Sequence, residues 1–360
     1  MAAQKVKCPH PEPASLAPHL AWTDGEIAGN GAAGKDRHRL LTVRFVDPAA
    51  SLGALRQATG SGAAPGAPPC GPPCAVVRNR VLGHSSPAET WFAEGPVRRE
   101  SHGPVEWAEN GAVLFASLAS RLQGNLAEET ARHFEALLAT VEEQGFPHLL
   151  RVWNFLPGIN ELENGTERYR LFNTGRAAAF DSRYGVAVAE ARFSASSAVG
   201  SSGDHLVTCL AAAKSPGLHL GNPRQVHAFR YPTDYGPRPP SFTRATLAPP
   251  ELGQVLFLSG TASIAGHETR HVGKLLLQLE ETLHNIETLL AAAPGETAKF
   301  PDLPAFDLFR VYLREASDLE LVREPLRRRI GPGPALHFVE ADICRADLLL
   351  EIEGVAGLSR

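Results

Sequence analysis

Gln254-Val-Leu-Phe-Leu-Ser259 is an apolar run of strand length, and the segment after it changes period: Val272, Leu275, Leu276, Leu279, Leu283, Ile286 and Leu290 recur at helical spacing. The two periods predict a buried strand followed by a helix of about 20 residues. The alternation continues toward the C-terminus. Phe309-Arg-Val-Tyr-Leu313 predicts a strand, a helix starts near Asp318, and Ala335-Leu-His-Phe-Val-Glu-Ala341 and Leu348-Leu-Leu-Glu-Ile-Glu353 predict two further strands. Toward the N-terminus, Leu149-Leu-Arg-Val-Trp-Asn-Phe155 reads as a strand. It follows a helix with Asn125 as N-cap, an apolar face of Leu126, Phe134, Leu137, Leu138 and Val141, and Gly145 as its stop. Shorter strands are expected over 40–46, 74–81 and 105–107. Runs of strands interleaved with long helices predict an α+β fold, mixed β-sheets with helices packed on one face.

A length of 360 residues fits about two domains. Residues 1–37 and the stretch from Gly60 to Cys74 are rich in Ala, Pro and Gly. Such segments bury too little to offset their ordering entropy, so 1–37 reads as a low-complexity N-terminal segment and 57–74 as a surface loop. A net charge of −4, from 35 Lys and Arg against 39 Asp and Glu, offers no broad basic field for nucleic-acid phosphates. No run approaches the roughly 18 apolar residues of a membrane span, so neither nucleic acid nor membrane is an expected partner. The cysteines Cys8, Cys70, Cys74, Cys209 and Cys344 follow no disulfide spacing. The first 30 residues lack the apolar core of a signal peptide; a reducing cytoplasm is the expected compartment.

Three patterns carry chemistry. His267-Glu-Thr-Arg-His271 is a literal HExxH, which on one helix face would hold zinc with Glu268 as general base; at the start of a helix, after Gly266, the same residues serve capping and hydrogen bonding. Arginines cluster with aromatics in two places. One joins Arg151-Val-Trp-Asn154 with the segment Glu167–Arg176; the other joins Phe229-Arg-Tyr231 with the segment Tyr235–Arg244. Guanidinium forks match carboxylates and aromatics hold a flat ring, which suits a small aromatic-like polyacid, whereas the bland alternative is surface arginines lying over apolar side chains. Third, Glu351 stands between Leu350 and Ile352 on a predicted strand, so it either faces solvent or is a buried carboxyl with a raised pKa. Cys344, seven residues before it, is either a small core residue or a working thiol.

Leu258-Ser-Gly-Thr-Ala-Ser-Ile264, the helix end Thr282-Leu-His-Asn-Ile-Glu-Thr-Leu-Leu290, and Pro334-Ala335 with Leu350-Glu-Ile-Glu-Gly354 resemble the C-terminal part of the RidA/YjgF superfamily. Arg151-Val-Trp-Asn-Phe155, Arg168-Tyr-Arg-Leu-Phe-Asn-Thr-Gly-Arg176, Tyr235-Gly-Pro-Arg-Pro-Pro-Ser-Phe242 and Gly266-His-Glu-Thr269 resemble the chorismatases, two-subdomain relatives of RidA, from about residue 100 onward. The resemblance implies RidA-like subdomains over 38–230 and 231–360, and a lyase that converts chorismate to 3-hydroxybenzoate and pyruvate with no cofactor and no metal. It implies Glu351 as proton donor and Cys344 as the residue that accompanies 3-hydroxybenzoate formation, where another branch carries alanine. Gly260 matches a second product-determining position. Arg151, Arg168, Arg176, Tyr231 and Arg244 are the expected substrate-binding residues. One departure stands out: RidA binds a carboxylate through an arginine after its Pro-Ala pair, and here Leu336 follows Pro334-Ala335, so imine deamination is not expected. The rivals are an enzyme that also releases 4-hydroxybenzoate, a zinc hydrolase through HExxH, and a non-catalytic RidA-like binding module. Oligomeric state is not set by these features.

Overall fold

A computed structural model describes residues 19–22, 37–49, 73–83, 88–293, 295 and 300–358. Most of the segment 1–37 and of the loop expected over 57–74 lies outside them. A six-stranded sheet runs in the order Ala195–Ser201, His148–Pro157, His205–Ala213, Val113–Arg121, Val105–Glu109, Arg98–His102. Its one parallel pair, Ala195–Ser201 with His148–Pro157, needs a long crossover, and the intervening chain supplies a helix for it.

Helix α1 spans Leu126–Glu143 and starts as its sequence dictates: the Asn125 side chain accepts the Glu128 N–H at 3.2 Å, and Glu128 and Glu129 sit in the first turn. Gly145, at φ 83°, takes the left-handed conformation after its end. Helix α2, Arg168–Tyr184, is the crossover and packs on α1 at Gly175. A Cβ there would lie 2.7 Å from Thr130 Cβ and against the Ala127 carbonyl oxygen. Leu137, Leu138, Phe172 and Phe180 of the two helices bury the outer face of the sheet.

The second sheet has seven strands in the order Leu218–Leu220, Ala245–Leu247, Leu256–Thr261, Leu350–Ala356, Leu308–Leu313, Ala335–Glu340, Val81–Leu82. Helices α3, Leu275–Ala292, and α4, Leu319–Ile330, cover its outer face through Leu279, Leu283, Ile286, Val322 and Leu326. Each sheet thus carries its helices on one face, the α+β arrangement. The inner faces share a core with a four-stranded sheet, His19–Trp22, Ala88–Glu94, Arg37–Phe45, Cys74–Val77. Trp91 from that sheet lies 5.2 Å from Phe115 and 5.7 Å from Trp153 of the first sheet, and 5.9 Å from Phe257 of the second. A buried charge chain runs in parallel: Arg151 meets Glu353 at 2.7 Å, and Arg310 pairs with both Glu353 and Glu89. At the seam, Ser196 N–H donates to Ser259 Oγ at 2.9 Å and Ala195 N–H to Thr246 Oγ1 at 2.8 Å.

Four elements differ from the sequence reading. The helix expected to include Val272 begins at Leu275, leaving Val272 59% exposed. The strand expected over 74–81 splits between the four-stranded and seven-stranded sheets. The strand expected from Leu348 begins at Leu350, where the register of the strand Leu308–Leu313 against it starts, and Ala341 joins the loop 341–349. Leu218–Leu220 belongs to the second sheet although it precedes residue 230. Among the described residues no helix is long and apolar enough to cross a membrane.

Gly175 gives a direct test of the α1–α2 contact. Alanine favours a helix over glycine by about 1 kcal/mol, yet forcing a methyl into a packed contact costs about 1–3 kcal/mol. Gly175→Ala is expected to lower the urea midpoint at unchanged m-value; a higher midpoint would show that the helices stand further apart.

Candidate active site

Where the inner faces of the two larger sheets meet, the chain encloses a cavity of about 300 Å³. Strand alternation places its acid. Leu350 and Ile352 face the helices, so Glu351 and Glu353 face inward. Glu351 is 4% exposed, and its Oε1 has no hydrogen-bond partner. Burial, and next the Glu353 carboxylate, push its pKa up to about 8 against the opposing pull of Arg151 and Arg244. Of the two alternatives open from sequence, the buried carboxyl is the one realised, and it carries its proton at neutral pH. Gly260 on the neighbouring strand makes the room: a Cβ there would fall onto the Glu351 carboxyl and lie 3.1 Å from Ser197 Cβ.

Three guanidiniums without a carboxylate partner line the same cavity, beside Arg170, which pairs with Glu167. Arg176, from α2, donates to Asn173 Oδ1 at 3.1 Å and lies over the Phe172 ring; burial lowers its pKa to about 10, which still leaves it charged at neutral pH. Arg244 donates to the Tyr231 hydroxyl at 2.7 Å and to the Val226 carbonyl at 3.1 Å. Arg345 lies 4.2 Å from the Tyr235 ring centroid and donates to the His267 carbonyl at 2.9 Å. Among the described residues these three have neutral partners and no carboxylate within ion-pair distance, and Arg176 Nε and Arg244 Nε are buried with no acceptor. Three cations without counter-ions, tyrosine faces and a protonated carboxyl in one small cavity match a small ring-shaped dianion that is to receive a proton. Cys344 lines the same cavity, and burial, with Glu351 next, pushes its thiol up to about 12, so it is an S–H group and not a thiolate.

The structure therefore brings together Glu351, Cys344, Arg176, Tyr231, Arg244 and Gly260. It does not bring Arg151 or Arg168 to the cavity wall. Arg151 lies behind it, donating to Ser197 Oγ at 2.8 Å and paired with Glu353. Arg168, at the first turn of α2, points elsewhere and donates to the Pro157 carbonyl at 2.9 Å and to Glu163 at 2.6 Å. Arg345 and Tyr169 were not singled out from the sequence, although each adjoins a chosen position, Cys344 and Arg168. The HExxH reading fails on geometry. Glu268–Thr269 pairs with Ile264–Ala265 in a hairpin, His271 has φ 58°, and α3 starts after them, so the imidazoles share no helix face. His267 approaches the Tyr235 hydroxyl at 3.3 Å and His271 approaches Glu281 at 3.5 Å. Among the described residues no group of three or more His, Cys, Asp or Glu side chains is placed to hold a metal ion.

Residues 89–212 match the family described as Chorismatase FkbO/Hyg5-like, N-terminal. Over 288 residues the chain is 36% identical to a 3-hydroxybenzoate synthase of Streptomyces hygroscopicus, covering 77% of this chain and 84% of that one. The chain belongs to the chorismatase family. A chorismatase of Streptomyces rapamycinicus is 37% identical over 276 residues, 74% of this chain and 81% of its own. A chorismatase crystal structure shares the fold at TM-score 0.79 and 31% identity, covering 95% of this chain and 98% of that chain. The cavity with Glu351 at its centre is thus the candidate active site of a chorismatase.

Its acid has a consequence for stability. The Glu351 carboxyl ionises near 4.5 in an unfolded chain and near 8 in the fold, so between these values the folded state holds a proton that the unfolded state releases, and stability falls as pH rises. Glu351→Gln lacks this term. The variant is expected to be more stable than wild type at pH 9 in chemical denaturation, with the gap closing toward pH 4; a gap independent of pH would mean an ionised carboxylate in the fold.

Proposed function

We propose that this chain cleaves chorismate to 3-hydroxybenzoate and pyruvate, with Glu351 as general acid. The observation that carries the reading is a buried, protonated carboxyl, its Oε1 without a hydrogen-bond partner, in one cavity with three guanidiniums that pair with no carboxylate among the described residues. Chorismate has one carboxylate on its ring and a second on an enolpyruvyl ether. Arg176, Arg244 and Arg345 are the groups to receive these, and Tyr231 and Tyr235 offer faces to the ring. The substrate's own charges raise the pKa of Glu351 further, so binding favours the acid form while the guanidiniums keep the complex from repelling itself.

Glu351 gives its proton to the terminal methylene of the enol ether, which leaves a cationic, oxocarbenium-like carbon beside the ether oxygen. Collapse of that centre breaks the ring C–O bond and releases pyruvate, which keeps the ether oxygen. The neighbouring ring hydroxyl closes on the ring carbon so exposed as its own proton leaves; the epoxide opens at its other carbon, and loss of the ring proton beside the retained oxygen aromatises the ring, so the atoms of chorismate divide between 3-hydroxybenzoate and pyruvic acid with none left over. A non-aromatic dihydroxydiene product would contain one water more. Cys344 bears on that difference. Its S–H can exchange a proton and fills space that alanine would leave to water. Gly260 bears on it as well, because a methyl there would displace the Glu351 carboxyl.

General acids contribute about 10²–10⁴-fold, so Glu351→Gln is expected to bind chorismate by calorimetry while losing pyruvate release by at least about 100-fold. Activity within about tenfold of wild type would remove Glu351 from the acid role. Cys344→Ala is expected to consume chorismate yet shift the product from 3-hydroxybenzoate toward a non-aromatic dihydroxydiene acid. An unchanged product ratio on chromatography would make Cys344 a packing residue.

A further inference from the structure

The loop 341–349 supplies two walls of the cavity, Cys344 and Arg345, but has no sheet partner to fix it. Three of its carbonyls converge on one side chain that does not line the cavity at all. Arg314 follows the strand Leu308–Leu313 and sits on the far side of the loop, in a separate cleft. Its Nε donates to the Leu348 carbonyl at 2.9 Å. Its Nη2 donates to the Arg345 carbonyl at 2.9 Å and to the Ile343 carbonyl at 3.4 Å. Its Nη1 donates to Asn160 Oδ1 at 3.2 Å and pairs with the Asp342 carboxylate. A guanidinium has five N–H donors in a rigid fork, and all five have acceptors here, four of them in the loop. Asn160 adds a second tie, donating from Nδ2 to the Ile343 carbonyl at 3.1 Å. The carbonyls on both sides of Cys344 are thereby held by one planar group, which fixes the direction in which the thiol and the Arg345 side chain leave the backbone.

We propose that Arg314 is a positioning residue that sets the placement of Cys344 in the cavity and, through it, the outcome of the ring chemistry. The second half of this inference rests on the chorismate-cleaving function proposed above; the first half rests on geometry alone. Lysine keeps the charge of Arg314 but is a single point donor on a flexible stem and cannot hold three carbonyls in one plane. Arg314→Lys therefore isolates the fork from the charge.

The test compares full-length wild type, Arg314→Lys, Cys344→Ala and the double variant in two measurements. Alkylation of Cys344 by iodoacetamide, followed on its own peptide by mass spectrometry, reads the placement of the thiol without reference to activity. It is expected to be about tenfold faster in Arg314→Lys, because a looser loop opens more often. Chromatography of the products from chorismate reads the consequence. Arg314→Lys is expected to shift the product ratio in the direction of Cys344→Ala, and the double variant is expected to shift it no further than Cys344→Ala alone. Unchanged alkylation and an unchanged product ratio would overturn the proposal, and a further shift in the double variant would overturn the route through Cys344. If wild type releases no pyruvate from chorismate, the functional reading fails, and alkylation still decides the role of Arg314. Should Arg314→Lys not fold, Asn160→Ala removes the second tie with the arginine intact. A smaller acceleration of alkylation supports the proposal there, and none overturns it.

Discussion

The chain of buried charges Glu89, Arg310, Glu353 and Arg151 is the constraint on which the rest of the molecule depends. Each residue but one comes from a different sheet: Glu89 from the four-stranded sheet, Arg151 from the six-stranded sheet, and Arg310 with Glu353 from the seven-stranded sheet. Two anions and two cations balance, so the group is tolerable in a dry core only while all four are in place; removing one partner of such a pair commonly costs about 3–5 kcal/mol. The network therefore fixes how the sheets sit. It also determines the chemistry, because Glu353 lies two residues along the strand from Glu351 and on the same face. With Arg151 engaged by Glu353, its pull on Glu351 is outweighed by burial and by the Glu353 charge. Burial, helped by the carboxylate end of a structural ion pair, thus keeps the neighbouring acid protonated.

For the proposed reaction, that arrangement resolves a conflict inherent in protonating a dianion. The groups that attract two carboxylates also favour ionisation of a nearby acid, and an ionised acid has no proton to give. Here the guanidiniums come from α2, from the segment before the strand Ala245–Leu247 and from the loop 341–349, whereas the acid comes from the interior of a strand. Gly260 lets the carboxyl stand against backbone where a side chain would otherwise project.

Much of this is legible in the sequence because it is periodic. The strand at 149–155, the capped helix after Asn125 and the strand–helix succession from residue 254 follow from spacing and end signals, and the structure reproduces them. The errors occur where spacing says nothing about direction. Arg168 and Arg176 share a helix and an aromatic setting, yet one turns to Glu163 and the other to the cavity. Arg151 has the same composition around it, but Glu353, some two hundred positions away, neutralises it. Arg345 escapes notice because the tyrosines it lies against, Tyr231 and Tyr235, stand more than a hundred positions away in the chain, between two other strands of the same sheet. HExxH misleads in the converse way. Its spacing has meaning only on a helix, and left-handed backbone at His271 keeps these residues out of one.

Anion binding has one more consequence. Arg176, Arg244 and Arg345 line one cavity and pair with no carboxylate among the described residues, so an anion seated between them offsets their mutual repulsion and stabilises the fold. Sulfate or phosphate has the charge to do so. The melting temperature of this protein is therefore a joint property of its fold and its buffer: a preparation in an anion-poor medium and one in phosphate are, in free-energy terms, two different molecules.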